Sequence, residues 1–189
     1  MWKETTLVLL QSLYSAYIML LLLRFFFQLV RVDFYNPISQ VVVKLASPIV
    51  FPLQKIIPSW QNISFSTLVA VLLMEALEIT VIFPKAGFGH LPHFTGAVIW
   101  IAGDLINHVA NLFFFAILIQ ALMSWLHTQS GHPLLEILYR LTLPILKPFQ
   151  RMIPPIAGID LSAIPALFLL QCLNLYVGNF LLLQGWALM

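Results

Sequence analysis

The chain has 189 residues, 61% of them hydrophobic and 8% charged, against about 45–50% and about 25% in soluble domains. A water-soluble fold of this length cannot hide so much apolar surface in one core, so lipid must cover much of it. A formal net charge of +2 with no basic tail offers nothing to nucleic acid, and the lone Cys172 excludes an intrachain disulfide and a cysteine zinc site.

The first predicted element is a membrane helix over about residues 5–30. Thr5–Leu23 carries no charge and is followed by Arg24 and three phenylalanines rather than a small-residue cleavage site, so the segment reads as a retained span, not a signal peptide. Residues 36–58 follow as an interfacial segment. Asn36 can cap free amides and Pro37 suits the first helical position. Ile38, Val41, Val42 and Leu45 then recur at helical spacing, with Gln40 and Lys44 off that stripe. The pattern predicts a short amphipathic helix with its apolar side toward acyl chains. Pro48 is expected to stop it, and Pro52 and Pro58 to leave only turns or helical fragments.

A second span is expected over about residues 65–83, carrying Glu75 and Glu78. A third lies within 96–126, long enough that a tilt or a break near Gly103 is open. Residues 132–154 form a second interfacial segment. There Leu134, Ile137, Leu138 and Leu141 make the apolar stripe, Glu136 and Arg140 lie off it, and His132-Pro133 keeps only the proline half of the helix-start signal. The fourth span covers about 161–183, with Pro165 near its start. Each span approaches the roughly 20 apolar residues a helix needs to cross lipid.

The two halves resemble each other. Pro37, Pro48, Pro52 and Pro58 fall in register with Pro133, Pro144, Pro148 and Pro154, each pair 96 residues apart; chance gives about 0.4 such matches over the comparison. Lys44 with Arg140, Gln54 with Gln150, Lys55 with Arg151, Ile57 with Ile153 and Ser66 with Ser162 share the register. The expected fold is therefore an all-α membrane protein of four transmembrane helices, built as two tandem parallel repeats, residues 1–95 and 96–189, related by an axis along the membrane normal. Of nine lysines and arginines, Arg31, Lys44, Lys55, Arg140, Lys147 and Arg151 fall in the two long loops. Lys3 and Lys85 lie opposite, while Arg24 is placed to snorkel toward the basic side. The positive-inside rule puts both long loops in the cytoplasm and both termini outside.

Those loops either anchor the hairpins and gather cytoplasmic charge, or dock a membrane-protein partner or anionic lipid. Lys44, Lys55, Arg140, Lys147 and Arg151 are the candidate contacts for phosphate or carboxylate groups. A homo-oligomer is compatible with either.

DFYNPISQVVVKLASPIVFPLQKIIP (Asp33–Pro58), TLPILKPFQRMIPPIAGIDLS (Thr142–Ser162) and Ser124-Trp125 resemble the YggT family, in its two-repeat proteobacterial form, over nearly the whole chain. The resemblance implies a bacterial inner-membrane protein. Some bacterial members are linked to osmotic-stress tolerance and potassium uptake, others to cell division; plastid relatives are linked to cytochrome b–f complex assembly and nucleoid organisation. The chain departs from the pattern where Gln120 replaces the counterpart of Arg24 and Gly131-His132-Pro133 replaces Asn36-Pro37.

Ionisable groups inside a span prompt a functional hypothesis. Glu75 and Glu78 share one helix face, and Asp104, Asn107, His108 and Asn111 form one polar stripe. Glu75 lies roughly 12 Å below a helix end at Phe83, Asp104 about 12 Å and His108 roughly 18 Å below a start at Gly96. The two sets can meet. They either hold the spans together by hydrogen bonds, or Glu75, Glu78, Asp104 and His108 line a cation or proton path. Gln171 and Asn174 could complete the polar core. Without a Cys-x-x-Cys-His motif, or histidines on facing spans at one depth, no haem, metal or other cofactor is expected. His90, His93, His127 and His132 lie near span ends. Glycine-rich phosphate loops, nucleophile elbows and zinc-protease spacings are missing, so an enzyme is not expected. The leading expectation is a non-enzymatic scaffold or stress-tolerance factor acting through its loops, and the alternative is a component of cation uptake.

Overall fold

A computed structural model describes residues 2–58, 63–83, 93–125, 132–153 and 160–188. Lys85, His90, His127, Gly131 and Pro154 lie outside them, as do the side chains of Lys3 and Trp125. The described residues fold into helices: α1 (Trp2–Leu29), α2 (Pro37–Gln54), α3 (Phe65–Phe83), α4 (Phe94–Trp125), α5 (Pro133–Met152) and α6 (Ala163–Cys172), which runs through a π-helical stretch (Leu173–Gly178) into α7 (Asn179–Ala187). Three helical stretches are long and apolar enough to cross a membrane, Thr5–Leu29, Phe94–Ser124 and Ala163–Ala187. Their outward sides are apolar, with Val8, Leu9 and Leu13 on α1 and Phe168, Leu175 and Leu183 on the last helix all exposed. α4 runs unbroken through Gly103.

One hydrophobic core joins both halves of the chain. Ile18 and Leu21 of α1, Val71 of α3, Ile117 of α4, Leu141 of α5 and Ala166 of α6 are buried in it. Phe26 meets Phe113 edge to face at 4.8 Å between α1 and α4. α1 and α3 pack closely, and α4 packs most closely of all against α7.

α2 and α5 depart from expectation in two ways. First, neither stops at its first proline: α2 continues through Pro48 and Pro52, α5 through Pro144 and Pro148. An internal proline deprives a carbonyl one turn earlier of its partner and loosens those beside it; the helix survives where neighbours supply donors. Here α1 supplies donors to the residues on either side of Lys44, whose carbonyl loses its partner at Pro48. Arg24 donates to the Val43 carbonyl (3.1 Å) and to Ser47 Oγ (3.3 Å), and the Tyr17 hydroxyl donates to the Leu45 carbonyl (3.3 Å). Arg24 therefore bonds to α2, the helix of the first long loop. In α5 the buried Thr142 hydroxyl donates to the Leu138 carbonyl (2.8 Å) and pairs with the Gln120 amide of α4. Second, the apolar stripes face protein. Val42, Ala46 and Val50 of α2 and Ile137, Leu138 and Leu141 of α5 are buried in the core, while Val41 and Leu45 remain more than half exposed.

Both helices start on capped prolines. Asn36 Oδ1 accepts from the Ile38 amide (3.0 Å), and Asn36 Nδ2 donates to the Pro133 carbonyl (2.8 Å), tying the two starts together. His132 is not the vacant cap expected: its Nδ1 accepts from the Leu134 amide at 3.2 Å. An imidazole nitrogen with a free lone pair does the work of the asparagine oxygen. His132→Ala should therefore destabilise α5 by about 1 kcal/mol and His132→Asn should not, a difference readable as a shift in thermal midpoint in detergent.

Candidate functional site

The polar residues of α3 and α4 converge. Glu75 and Glu78 sit one turn apart on α3, fully buried at 0% and 1% exposure. On α4, His108 Nδ1 lies 3.5 Å from Glu75 Oε1 and 3.7 Å from Asp104 Oδ2. It also lies 3.0 Å from the Asp104 carbonyl, to which an Nδ1–H donates. Both carboxylate oxygens of Glu75, and Oε2 of Glu78, lack a hydrogen-bond partner. Buried polar atoms are nearly always paired, so carboxylate oxygens left bare beside an imidazole call for an explanation.

Glu78, Asp104 and His108 line a cavity of about 550 Å³ bounded by α1, α4 and the last helix. Asparagines form its far wall. Asn107 Nδ2 donates to Asn179 Oδ1 (3.1 Å), and Asn174 Nδ2 donates to Asn111 Oδ1 (2.8 Å). The π-helical stretch makes these two rungs possible. Its wide turn carries the Asn179 amide to the Asn174 carbonyl, five residues back, so Asn174 and Asn179 share a face and match Asn111 and Asn107, four apart on α4. A regular helix would turn them well away from each other. That is why spacing alone did not single out Asn179. Gln171, expected beside Asn174, is exposed instead. Gln11 and Ser15 of α1 complete the lining; their only signal was polarity within an otherwise apolar run.

Close backbone contact holds this wall in place. A Cβ on Gly103 would come within 2.8 Å of Leu182 N, and one on Gly185 within 2.7 Å of Trp100 N. Gly178 lies under the Asn107 side chain, whose Oδ1 would be 1.7 Å from an added Cβ. These are the small-residue contacts that let membrane helices approach closely.

The five basic candidates do not form such a site. Lys44, Lys55, Lys147 and Arg151 are exposed, and Lys55 Nζ lies 5.2 Å from the centre of the Phe51 ring. Arg140 pairs with Glu136 at 3.0 Å and donates to the Arg31 carbonyl at 3.4 Å. They spread over the outer sides of α2, α5 and their ends.

The family model described as CCB3/YggT matches residues 4–84 and 99–181. The YggT protein of Escherichia coli K12 is 36% identical over 184 residues, covering 96% of this chain and 94% of its own. Protein PA0392 of Pseudomonas aeruginosa is 34% identical over 170 residues, 90% of this chain and 86% of its own. The ycf19 protein of Guillardia theta is 36% identical over 71 residues, 36% of this chain and 77% of its own. No solved structure matches. On the strength of two matched segments and relatives similar from end to end, the chain belongs to the CCB3/YggT family.

Proposed function

We propose that this is a four-span protein of the bacterial inner membrane, two tandem hairpins in one orientation with their long loops cytoplasmic, and that it handles a cation or proton in the cavity between α1, α4 and the last helix. α3, with 19 residues, rises about 28 Å, close to the roughly 30 Å of a hydrocarbon layer. Its carboxyls turn inward, as intramembrane acids do when they serve a path. The two separate family-model matches, one in each half, fit the repeat. The single observation that carries the reading is the bare, buried carboxylate of Glu75 beside His108, with Glu78 opening onto the cavity.

A second reading, a scaffold or stress-tolerance factor acting through its loops, is favoured by one observation. Lys44, Lys55, Arg140, Lys147 and Arg151 all face outward, interleaved with exposed Val41, Leu45, Phe51, Ile56, Tyr139 and Met152, as a surface meeting anionic lipid or a membrane partner would be. One experiment separates the two. In cells whose growth at high osmolarity requires the chain, Glu75→Gln with Glu78→Gln should reduce rescue to the empty-vector level at unchanged protein amount. Neutralising Lys44, Lys55, Arg140 and Arg151 together should leave rescue intact. The reverse pattern supports the scaffold and removes the cation reading.

A further inference from the structure

We infer that Glu75, Asp104 and His108 are the protein ligands of a single divalent transition-metal ion of the Mn²⁺ or Zn²⁺ type. The inference rests on the cation reading of the cavity and names the class of cation. One donor atom from each of the three residues lies within 4.8 Å of the others. Two donors on opposite sides of one ion, each about 2.0–2.2 Å from it, are at most about 4.4 Å apart. Three donors cannot all lie opposite one another, so side-chain shifts of about 1 Å close the set around an ion.

A second, independent observation points the same way. Glu75 is wholly buried, yet neither of its oxygens has a hydrogen-bond donor, and His108 Nδ1 stands 3.5 Å from one of them. A buried carboxylate that did nothing but hold helices together would be expected to have a donor. His108 Nδ1 is the ring nitrogen that faces both carboxylates. With an ion present Nδ1 gives up its hydrogen bond to the Asp104 carbonyl and offers its lone pair, and the ring proton sits on Nε2.

The donor set selects the ion. Imidazole suits zinc and iron, and carboxylates suit manganese. Potassium, the ion the family resemblance suggests, gains little from an imidazole nitrogen. Charge agrees: a divalent ion balances Glu75 and Asp104, whereas a monovalent one leaves a net charge in a low-dielectric interior. Glu78, one turn from Glu75, borders the cavity beside the site.

The test uses the whole chain, purified in detergent and stripped with chelator. Added MnCl₂ should lose its free-ion electron paramagnetic resonance signal to one saturable site, and excess KCl should not restore it. His108→Ala, and Glu75→Gln combined with Asp104→Asn, should each weaken binding by at least about tenfold, while Gln171→Ala binds like the parent. Thermal midpoints taken without metal verify that each variant is folded. Unchanged Mn²⁺ binding in the folded His108→Ala and carboxylate variants, or no saturable binding by the folded parent, overturns the assignment. Proton uptake into proteoliposomes that needs Glu75 and Glu78, without Mn²⁺ binding, would overturn the metal while leaving the cavity its function. Loss of both uptake and binding would remove both.

Discussion

Gly185→Leu should collapse the packing of α7 on α4 and leave little protein that survives mild heating in detergent. An added Cβ at Gly185 falls 2.7 Å from the backbone nitrogen of Trp100 and 2.8 Å from its Cα. No rotation of a side chain relieves a collision with backbone, so the helices themselves must separate. Gly103 meets the same obstacle, with Leu182 N at 2.8 Å and the Gly178 carbonyl at 2.9 Å. Overpacking by even small groups costs about 1–3 kcal/mol, so Gly185→Ala and Gly103→Ala should each lower the midpoint by roughly 3–10 °C in a chain of this size. Leucine, which adds more bulk against the same backbone, should cost more still. Gly178→Ala is a control of a different kind. Its obstacle is the Asn107 amide, which can swing away at the expense of its bond to Asn179. That variant should keep most of its stability and disturb the cavity wall. Fluorescence-detected size exclusion after a heating series reads all three, and equal survival of Gly185→Leu and the parent would contradict the packing described.

Arg24→Leu should be the second large effect. The guanidinium bonds the Val43 carbonyl and Ser47 Oγ on the turn before Pro48, where the helix cannot satisfy all its own carbonyls. Removing it deletes two hydrogen bonds from a charged donor, which are worth about 1.5–3 kcal/mol each at most. The hydroxyl of Ser47 already donates to Val43 at 2.6 Å, so the loss falls short of complete. Arg24→Gln should recover part of the difference, because Gln120 reaches Thr142 of α5 from the position 96 residues on. Arg24→Lys should recover less than its charge suggests, since one ammonium lacks the planar fork of the guanidinium. The measurement is again the thermal midpoint, with proteolysis near Pro48 as a local readout. If Arg24→Leu melts with the parent, the prolines of α2 are supported by something other than α1.

The proline helices show where local rules stop. Pro48 and Pro144 are strong breakers in isolation, and the expectation of turns and fragments follows from that. The donors that rescue α2, Tyr17 and Arg24, lie on another helix, and no pattern within residues 36–58 reveals them. The same holds for the apolar stripes. Val42 and Leu45 look equivalent by spacing, but one is in the core and the other exposed, because α2 packs into the bundle. His132 is a similar case. Histidine is a rare cap by propensity, and only the backbone geometry before Pro133 shows that its nitrogen is in place.

The polar cluster was more legible, because a helix forces its own geometry. Residues three and four apart share a face whatever packs against them, so Glu75 with Glu78 and Asp104 with His108 could be paired before their neighbours were known. Equal depths from the helix ends then brought the two sets to one level. Of the asparagine wall, Asn107, Asn111 and Asn174 were legible and Asn179 was not, since its place depends on a π-helical turn that changes the period itself.

Composition, period and proline register are properties of the chain, and by themselves they determined an all-helical protein with long apolar helices, the places where helices begin, and which polar residues share a helix face. Tertiary structure alone decided which breakers are tolerated, which side of α2 meets protein, and which oxygens around His108 remain bare. The reason is one of range. Hydrophobic periodicity and capping act within a turn or two, whereas satisfying a freed carbonyl, or leaving a carboxylate unsatisfied, depends on atoms contributed by another helix.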